Sequence, residues 1–163
     1  PVRSPITLNL ILFFKILGFS FFKNFFNKLN KTLISPLGRF QFSVEKANKV
    51  RAMKQHVGKG LWMTYVQRPS FTRVELYIYR GADNYDETFE LFEKFHEHKL
   101  EINAAFGRKL NWDSDPEKNA CRIEMTYNGF DLHDQACWSD FAKRMVSDMN
   151  KLNYALEPHY SNL

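Results

Sequence analysis

Arg73-Val74-Glu75-Leu76-Tyr77-Ile78, then Tyr85 to Phe106, then Cys121-Arg122-Ile123-Glu124-Met125 read as strand, helix, strand along one apolar side. Val74, Leu76 and Ile78 alternate with Arg73, Glu75, Tyr77 and Tyr79, the period of a strand whose outer face is polar and aromatic. Arg80-Gly81-Ala82-Asp83-Asn84 interrupts it with turn formers, and Asp83 or Asn84 stands where a helix N-cap belongs. Asp86 and Glu87 suit the first turn of the dipole.

Phe89, Phe92, Phe95 or His96, Lys99, Ile102 and Phe106 recur at three- and four-residue steps, which predicts one long helix. Glu90 and Lys94 form a favourable pair on its polar side. Gly107 is placed as its C-cap, followed by Arg108 and Lys109. Leu110-Asn111-Trp112 reads as a short strand or turn, and Asp113 to Asn119 as a loop. Cys121, Ile123, Met125 and Tyr127 alternate with Arg122, Glu124 and Thr126 in a second half-buried strand that ends at the turn signal Asn128-Gly129.

Arg73 to Ile78, Lys99-Leu100-Glu101-Ile102 to Phe106-Gly107, Leu110-x-Trp112 and Arg122-Ile123 resemble the uncharacterised family called domain of unknown function 4268. Trp138 and the spaced apolar residues after it, as far as Pro158 and Leu163, resemble that family's last helix, and Phe22 to Leu29 its first. These are structural motifs and identify a fold better than a chemistry. Members of the family often follow a restriction-endonuclease-like domain. The resemblance therefore implies nucleic-acid or defence work for the whole polypeptide, with an upstream nuclease-like domain or a partner protein.

At 163 residues the chain has room for one domain with a sizeable core, and its 16 Phe make that core Phe-rich. Cys121 and Cys137 form neither a disulfide framework nor a zinc site, which fits a reduced, cytoplasmic protein. The net charge of +5 conceals an asymmetry. Residues 1–80 hold 14 Lys or Arg against 2 acids, and residues 81–163 hold 9 against 16. Such a split points to a polyanionic partner, or to two halves that pack together and neutralise each other.

Two domain-level units are read: an apolar N-terminal segment, 1–21, and a single domain, 22–163. Ile6 to Phe26 is rich in Leu, Ile and Phe but contains Lys15 and Lys23, and a central Lys costs about 3 kcal/mol on insertion. A core or partner-facing helix, a membrane-associated anchor and an N-terminal extension all fit it, and a membrane partner is not expected. Phe22 to Leu33 forms a basic amphipathic helix, Ser35 to Gly38 a break, and Arg39 to Val44 a candidate strand. Ala47, Val50 and Met53 or Lys54 give Glu45 to His56 a thin helical face. Gly58-Lys59-Gly60 is a basic turn, and Leu61 to Gln67 forms an antiparallel hairpin with the strand at Arg73. From Ala136 to Leu156, Trp138, Phe141 or Ala142, Met145, Met149, Leu152 and Leu156 make the stripe of a final helix that Pro158 stops.

The fold class is therefore α+β, an antiparallel sheet of about four strands with helices mainly on one face. Nothing in the sequence makes a convincing catalytic site. Glu97-His98-Lys99 matches the Glu-x-Lys of a restriction nuclease but falls in mid-helix, where it does not converge with an acid on a metal. His96 and His98 are two apart and do not share a helix face. Asp131, His133 and Asp134 read as a solvated turn. No catalytic residue, metal or cofactor is assigned. The remaining signal is basic and aromatic: Lys46, Lys49, Arg51, Lys54, Lys59, Arg68 and Arg73, with Tyr77, Tyr79 and Trp62 on or near the outer sheet face. Cations contact phosphates and rings offer a stacking surface to bases. The expected function is a non-catalytic nucleic-acid-binding (DNA or RNA) or accessory module of a restriction or defence protein. The competing expectation is a protein-interaction or dimerisation domain, with self-association left open.

Overall fold

The computed structural model describes residues 43–46, 51–68, 71–129 and 138–161. The apolar stretch Ile6 to Phe26, the helix read over Phe22 to Leu33, the break at Ser35 and residues 39–42 lie outside them, as do Lys49, Asp131, His133, Asp134 and Cys137.

Six strands form one antiparallel sheet: β1 (Ser43–Lys46), β2 (Arg51–Gly58), β3 (Leu61–Gln67), β4 (Phe71–Ile78), β5 (Asn111–Asp115) and β6 (Ala120–Asn128). Their order in the sheet is β1-β2-β3-β4-β6-β5. The first four make a meander; β6 then pairs with β4, and β5 closes the far edge. Between β4 and β5 come two helices, α1 (Tyr85–His96) and α2 (Lys99–Phe106), and after β6 comes α3 (Trp138–Tyr160).

The three helices among the described residues contribute to one core with one sheet face. Leu61, Met63, Tyr65, Val74, Leu76, Ile78, Cys121, Ile123 and Tyr127 meet Leu91, Phe92, Phe95, Ile102, Phe106, Met145, Met149, Leu152 and Leu156. This is an α+β fold with its described helices on one face, and the alternation of β4 and β6 selects which face.

The sheet has more strands than the four expected. Arg51 to Gly58 is a strand, not part of a basic helix. Its weak helical stripe is outweighed by backbone pairing on both sides, to β1 and to β3. β5 extends through Asp115, where a loop was expected, and a single 3₁₀ turn (Pro116–Lys118) follows, held by Asp115 Oδ1 accepting from Glu117 N at 3.1 Å.

The long helix is two helices. His98 donates to Phe95 O at 3.0 Å, a three-residue step, and has φ −100° and ψ 16°. A straight helix of this length would run about 33 Å, beyond the roughly 26 Å of an eight-residue strand. The break at Glu97-His98 lets Ile102 and Phe106 return to the core. Gly107 caps α2 as expected, with φ 85° and its N–H bonded to Asn103 O and Ala104 O. Asn84 stands at the N-cap of α1 without a side-chain capping bond, its Nδ2 donating back to Arg80 O at 3.4 Å; Thr88 Oγ1 instead donates to Asn84 O at 2.9 Å and accepts from Arg80 N at 3.0 Å. α3 passes through Pro158 to Tyr160. The proline lies in the last turn, and the carbonyl whose bond it removes belongs to Tyr154, on the solvent side of the helix.

Candidate functional site

The second sheet face carries a row of aromatic rings and a cluster of charged side chains. Register places Lys54 opposite Thr64, His56 opposite Trp62, Trp62 opposite Tyr77 and Tyr77 opposite Arg122. One row thus crosses four strands. A second row joins Thr64, Glu75, Glu124 and Asn111.

The second row is the middle of a charged cluster. Glu75 and Glu124 face each other across β4 and β6, an arrangement that is repulsive unless bridged. Arg73 bridges them, with Nε 2.6 Å from Glu75 Oε2 and Nη1 3.0 Å from Glu124 Oε2. Arg122 lies 3.8 Å from Glu75 through Nε and 3.0 Å from Asp113 Oδ2 through Nη1. Asn111 Nδ2 and Thr126 Oγ1 donate to Glu124 Oε1 at 3.2 and 3.1 Å. Glu75, Arg122 and Glu124 are buried, although alternation alone gave them to a solvent-facing side. Burial, partly opposed by Arg73 and Arg122, pushes the Glu75 carboxyl up to about 7.

The first row is a ladder of rings. His56 and Trp62 centroids are 5.6 Å apart, Trp62 and Tyr77 6.2 Å, and Tyr77 and Tyr79 6.1 Å, the last pair stacked at 25°. Lys54 Nζ stands 5.6 Å from the Tyr77 centroid and Arg122 Cζ 5.4 Å. Burial of Tyr77 raises its hydroxyl above the ordinary value, with Arg122 opposing. Exposure increases along the strands toward the β2–β3 hairpin. Ala52, Thr64 and Val66 are buried; Lys54, Trp62, Tyr77 and Tyr79 are half-buried; His56 and Lys59 are exposed. Gly60 forms the tip with φ 77°, accepting from Tyr79 N at 2.9 Å, and Arg80 packs against it.

The expected site residues divide between these places. Lys54, Tyr77 and Tyr79 come together, Lys59 sits at the hairpin tip beside them, and Arg73 lies in the charged cluster. Arg68 follows the other end of β3, about 26 Å from the tip at the rise of a strand. Lys46 and Arg51 are register partners at that same far end; Lys49 is outside the described residues. Sequence reasoning missed His56, which was assigned to a helix, and the acids Glu75, Glu124 and Asp113, whose convergence depends on the β4–β6 and β5–β6 registers.

Glu97-His98-Lys99 lies at the α1–α2 break rather than in mid-helix. His98 pairs with Glu101 at 3.4 Å and its ring stands 4.5 Å from that of His159, while Lys99 Nζ is 3.1 Å from His96 Nε2 and over the Trp112 ring. Among the described residues no group of three or more His, Cys, Asp or Glu is placed to hold a metal ion, and no helix is long and apolar enough to cross a membrane.

A further buried acid ties the helix layer to the sheet. Asp148 of α3 accepts from Tyr127 Oη and pairs with Arg108 Nη2 at 2.5 Å, with Arg144 Cζ 5.1 Å from the Tyr127 ring. Its two contacts join α3 to β6 and to the segment after α2, which is a structural role.

Neither a curated protein nor a solved structure matches the chain. Residues 19–160 match the model of one family, so the β4–α1–α2–β5–β6–α3 arrangement and the face opposite its helices lie within the match, and the chain belongs to the family Domain of unknown function (DUF4268).

Proposed function

We propose that this domain is a non-catalytic nucleic-acid-binding module, working as an accessory part of a larger restriction or defence polypeptide in the reducing cytoplasm. The observation that carries the reading is the His56–Trp62–Tyr77–Tyr79 ladder, open at the hairpin end and edged by Lys54, Lys59 and Arg80. Rings bind bases through their faces, and cations beside them bind phosphates. The contributing cations are a smaller set than the basic run Lys46 to Arg73. Arg73 and Arg122 are neutralised by three carboxylates, and Arg68 is a strand length away.

Fluorescence anisotropy with labelled DNA and RNA over a salt series tests this, beside a Lys54→Glu/Lys59→Glu variant. Binding that weakens with salt and is lost in the variant supports the module. Absence of binding at low salt ends it.

A second reading, a protein-interaction domain, is favoured by Leu100 and Tyr154. They are large side chains 86% and 74% exposed on α2 and α3, where a partner could cover them. It predicts a mass in solution that rises with concentration and falls back with Leu100→Glu.

A further inference from the structure

We infer that the ligand of the ladder is a single strand, not a duplex. This deepens the nucleic-acid reading and rests on it. Three observations carry it.

The rings form a continuous row across β2, β3 and β4, with neighbouring centroids 5.6–6.2 Å apart. A ring row is useful only to bases whose faces are free. In a duplex those faces are covered by neighbouring bases, whereas in a single strand they can be laid on aromatic side chains.

The second observation concerns grooves. Reading a duplex calls for a helix or ribbon that enters the major groove between two rows of phosphates. The exposed sides of α1 and α2 carry Asp86, Glu87, Glu90, Glu93, Glu97 and Glu101, with Lys94 among them. Phosphate repels that surface, so neither helix is suited to a groove.

The third is the small number of cations. Lys54, Lys59 and Arg80 are the cations beside the row; Lys54 already lies over the Tyr77 ring, Arg80 packs against Gly60, and Arg73 and Arg122 pair with Glu75, Glu124 and Asp113. At most three phosphate contacts on a single strand give a slope no steeper than about −2 in log affinity against log salt, or at most roughly 20-fold weaker binding from 50 to 200 mM. Most of the attraction then comes from stacking, which a duplex does not offer.

The test is anisotropy of a labelled twenty-nucleotide dT strand, an rU strand of the same length and a dA–dT duplex. The full chain is compared with His56→Ala, Tyr79→Ala and, as a remote control, Lys94→Ala. His56 is exposed, so its variant keeps the fold even if Tyr79→Ala does not. The expected result is binding of one or both single strands at least ten-fold tighter than the duplex, roughly ten-fold weaker in each ring variant that folds, and unchanged in Lys94→Ala. Duplex binding equal to or tighter than single strands overturns this inference and leaves the nucleic-acid module standing. Single-strand binding untouched by the ring variants also overturns it. If no oligonucleotide binds at low salt, both readings fall together.

Discussion

Replacing Glu75 by Gln should abolish a pH dependence of stability that the wild-type chain shows between about pH 4.5 and 7. Glu75 is 3% exposed, and burial lifts its carboxyl from the ordinary 4.5 to about 7. The unfolded chain releases that proton near 4.5, and the folded chain keeps it until near 7. Between those values the folded state holds the extra proton, so raising the pH favours unfolding. The contribution is fully present below 4.5 and lost as pH rises through 7. A shift of this size corresponds to ~3 kcal/mol at most. The variant should also lose little at pH 8. With Glu75 ionised the cluster holds three carboxylates against two guanidiniums. A neutral amide leaves two against two, and Gln keeps an oxygen for Arg73. The assay is urea unfolding followed by circular dichroism at pH 5, 6, 7 and 8 for both proteins. Every other side chain is common to the two proteins, so the difference between the two curves isolates Glu75. The reasoning is refuted if wild type minus variant is flat over this range, or if it rises with pH.

Four further outcomes follow from local geometry. Gly107→Ala should cost ~1 kcal/mol in a thermal melt, because φ is 85° but a Cβ there meets nothing within 4 Å. Gly60→Ala should cost ~3 kcal/mol, because at φ 77° its Cβ would also come within 2.7 Å of Arg80 Cδ and 2.9 Å of Tyr79 O; equal costs would contradict the account. Tyr127→Phe should lose ~1–2 kcal/mol by leaving Asp148 with Arg108 alone, measured by urea unfolding. The Cys121 thiol is buried and pushed up to about 11, so mass spectrometry after iodoacetamide at pH 8 should find it unmodified in the native protein and alkylated in urea.

What the sequence made legible was the part of the fold governed by local periodicity. Val74, Leu76 and Ile78 on β4, Ile123 on β6, and Met145, Met149, Leu152 and Leu156 on α3 all enter the core that their spacing predicts. The left-handed cap at Gly107 was legible because only glycine adopts it without strain. Where the reading differed, a non-local interaction decided. Arg51 to Gly58 has too few apolar residues for either pattern to win, and pairing with two neighbours makes it a strand. The α1–α2 break has neither Gly nor Pro to announce it; only the extent of the sheet beneath accounts for it.

The site was less legible for a related reason. Alternation says which residues share a face, and on that count Arg73, Glu75, Tyr77, Arg122 and Glu124 were correctly grouped on the side away from the apolar residues. It does not say which rows align, and the rows carry the electrostatics. The β4–β6 register sets Glu75 against Glu124 and Tyr77 against Arg122. Two residues of slip would move Arg73 away from one of its acids and Arg122 away from the Tyr77 ring. The two pairs that join the halves of the sequence take one Arg and one Glu from each, so they leave the charge asymmetry between the halves as it was. Arg73 from the basic half is neutralised by Glu124 from the acidic half, and Arg122 from the acidic half by Glu75 from the basic one. The surface that the proposed reading offers to a polyanion is the hairpin end, where Lys54 lies over the Tyr77 ring and Lys59 is exposed. Under the proposed reading a partner there is recognised by its π-faces more than by its charge, so salt dependence alone is a weak discriminator, and the effect of the His56 and Tyr79 variants is the stronger one.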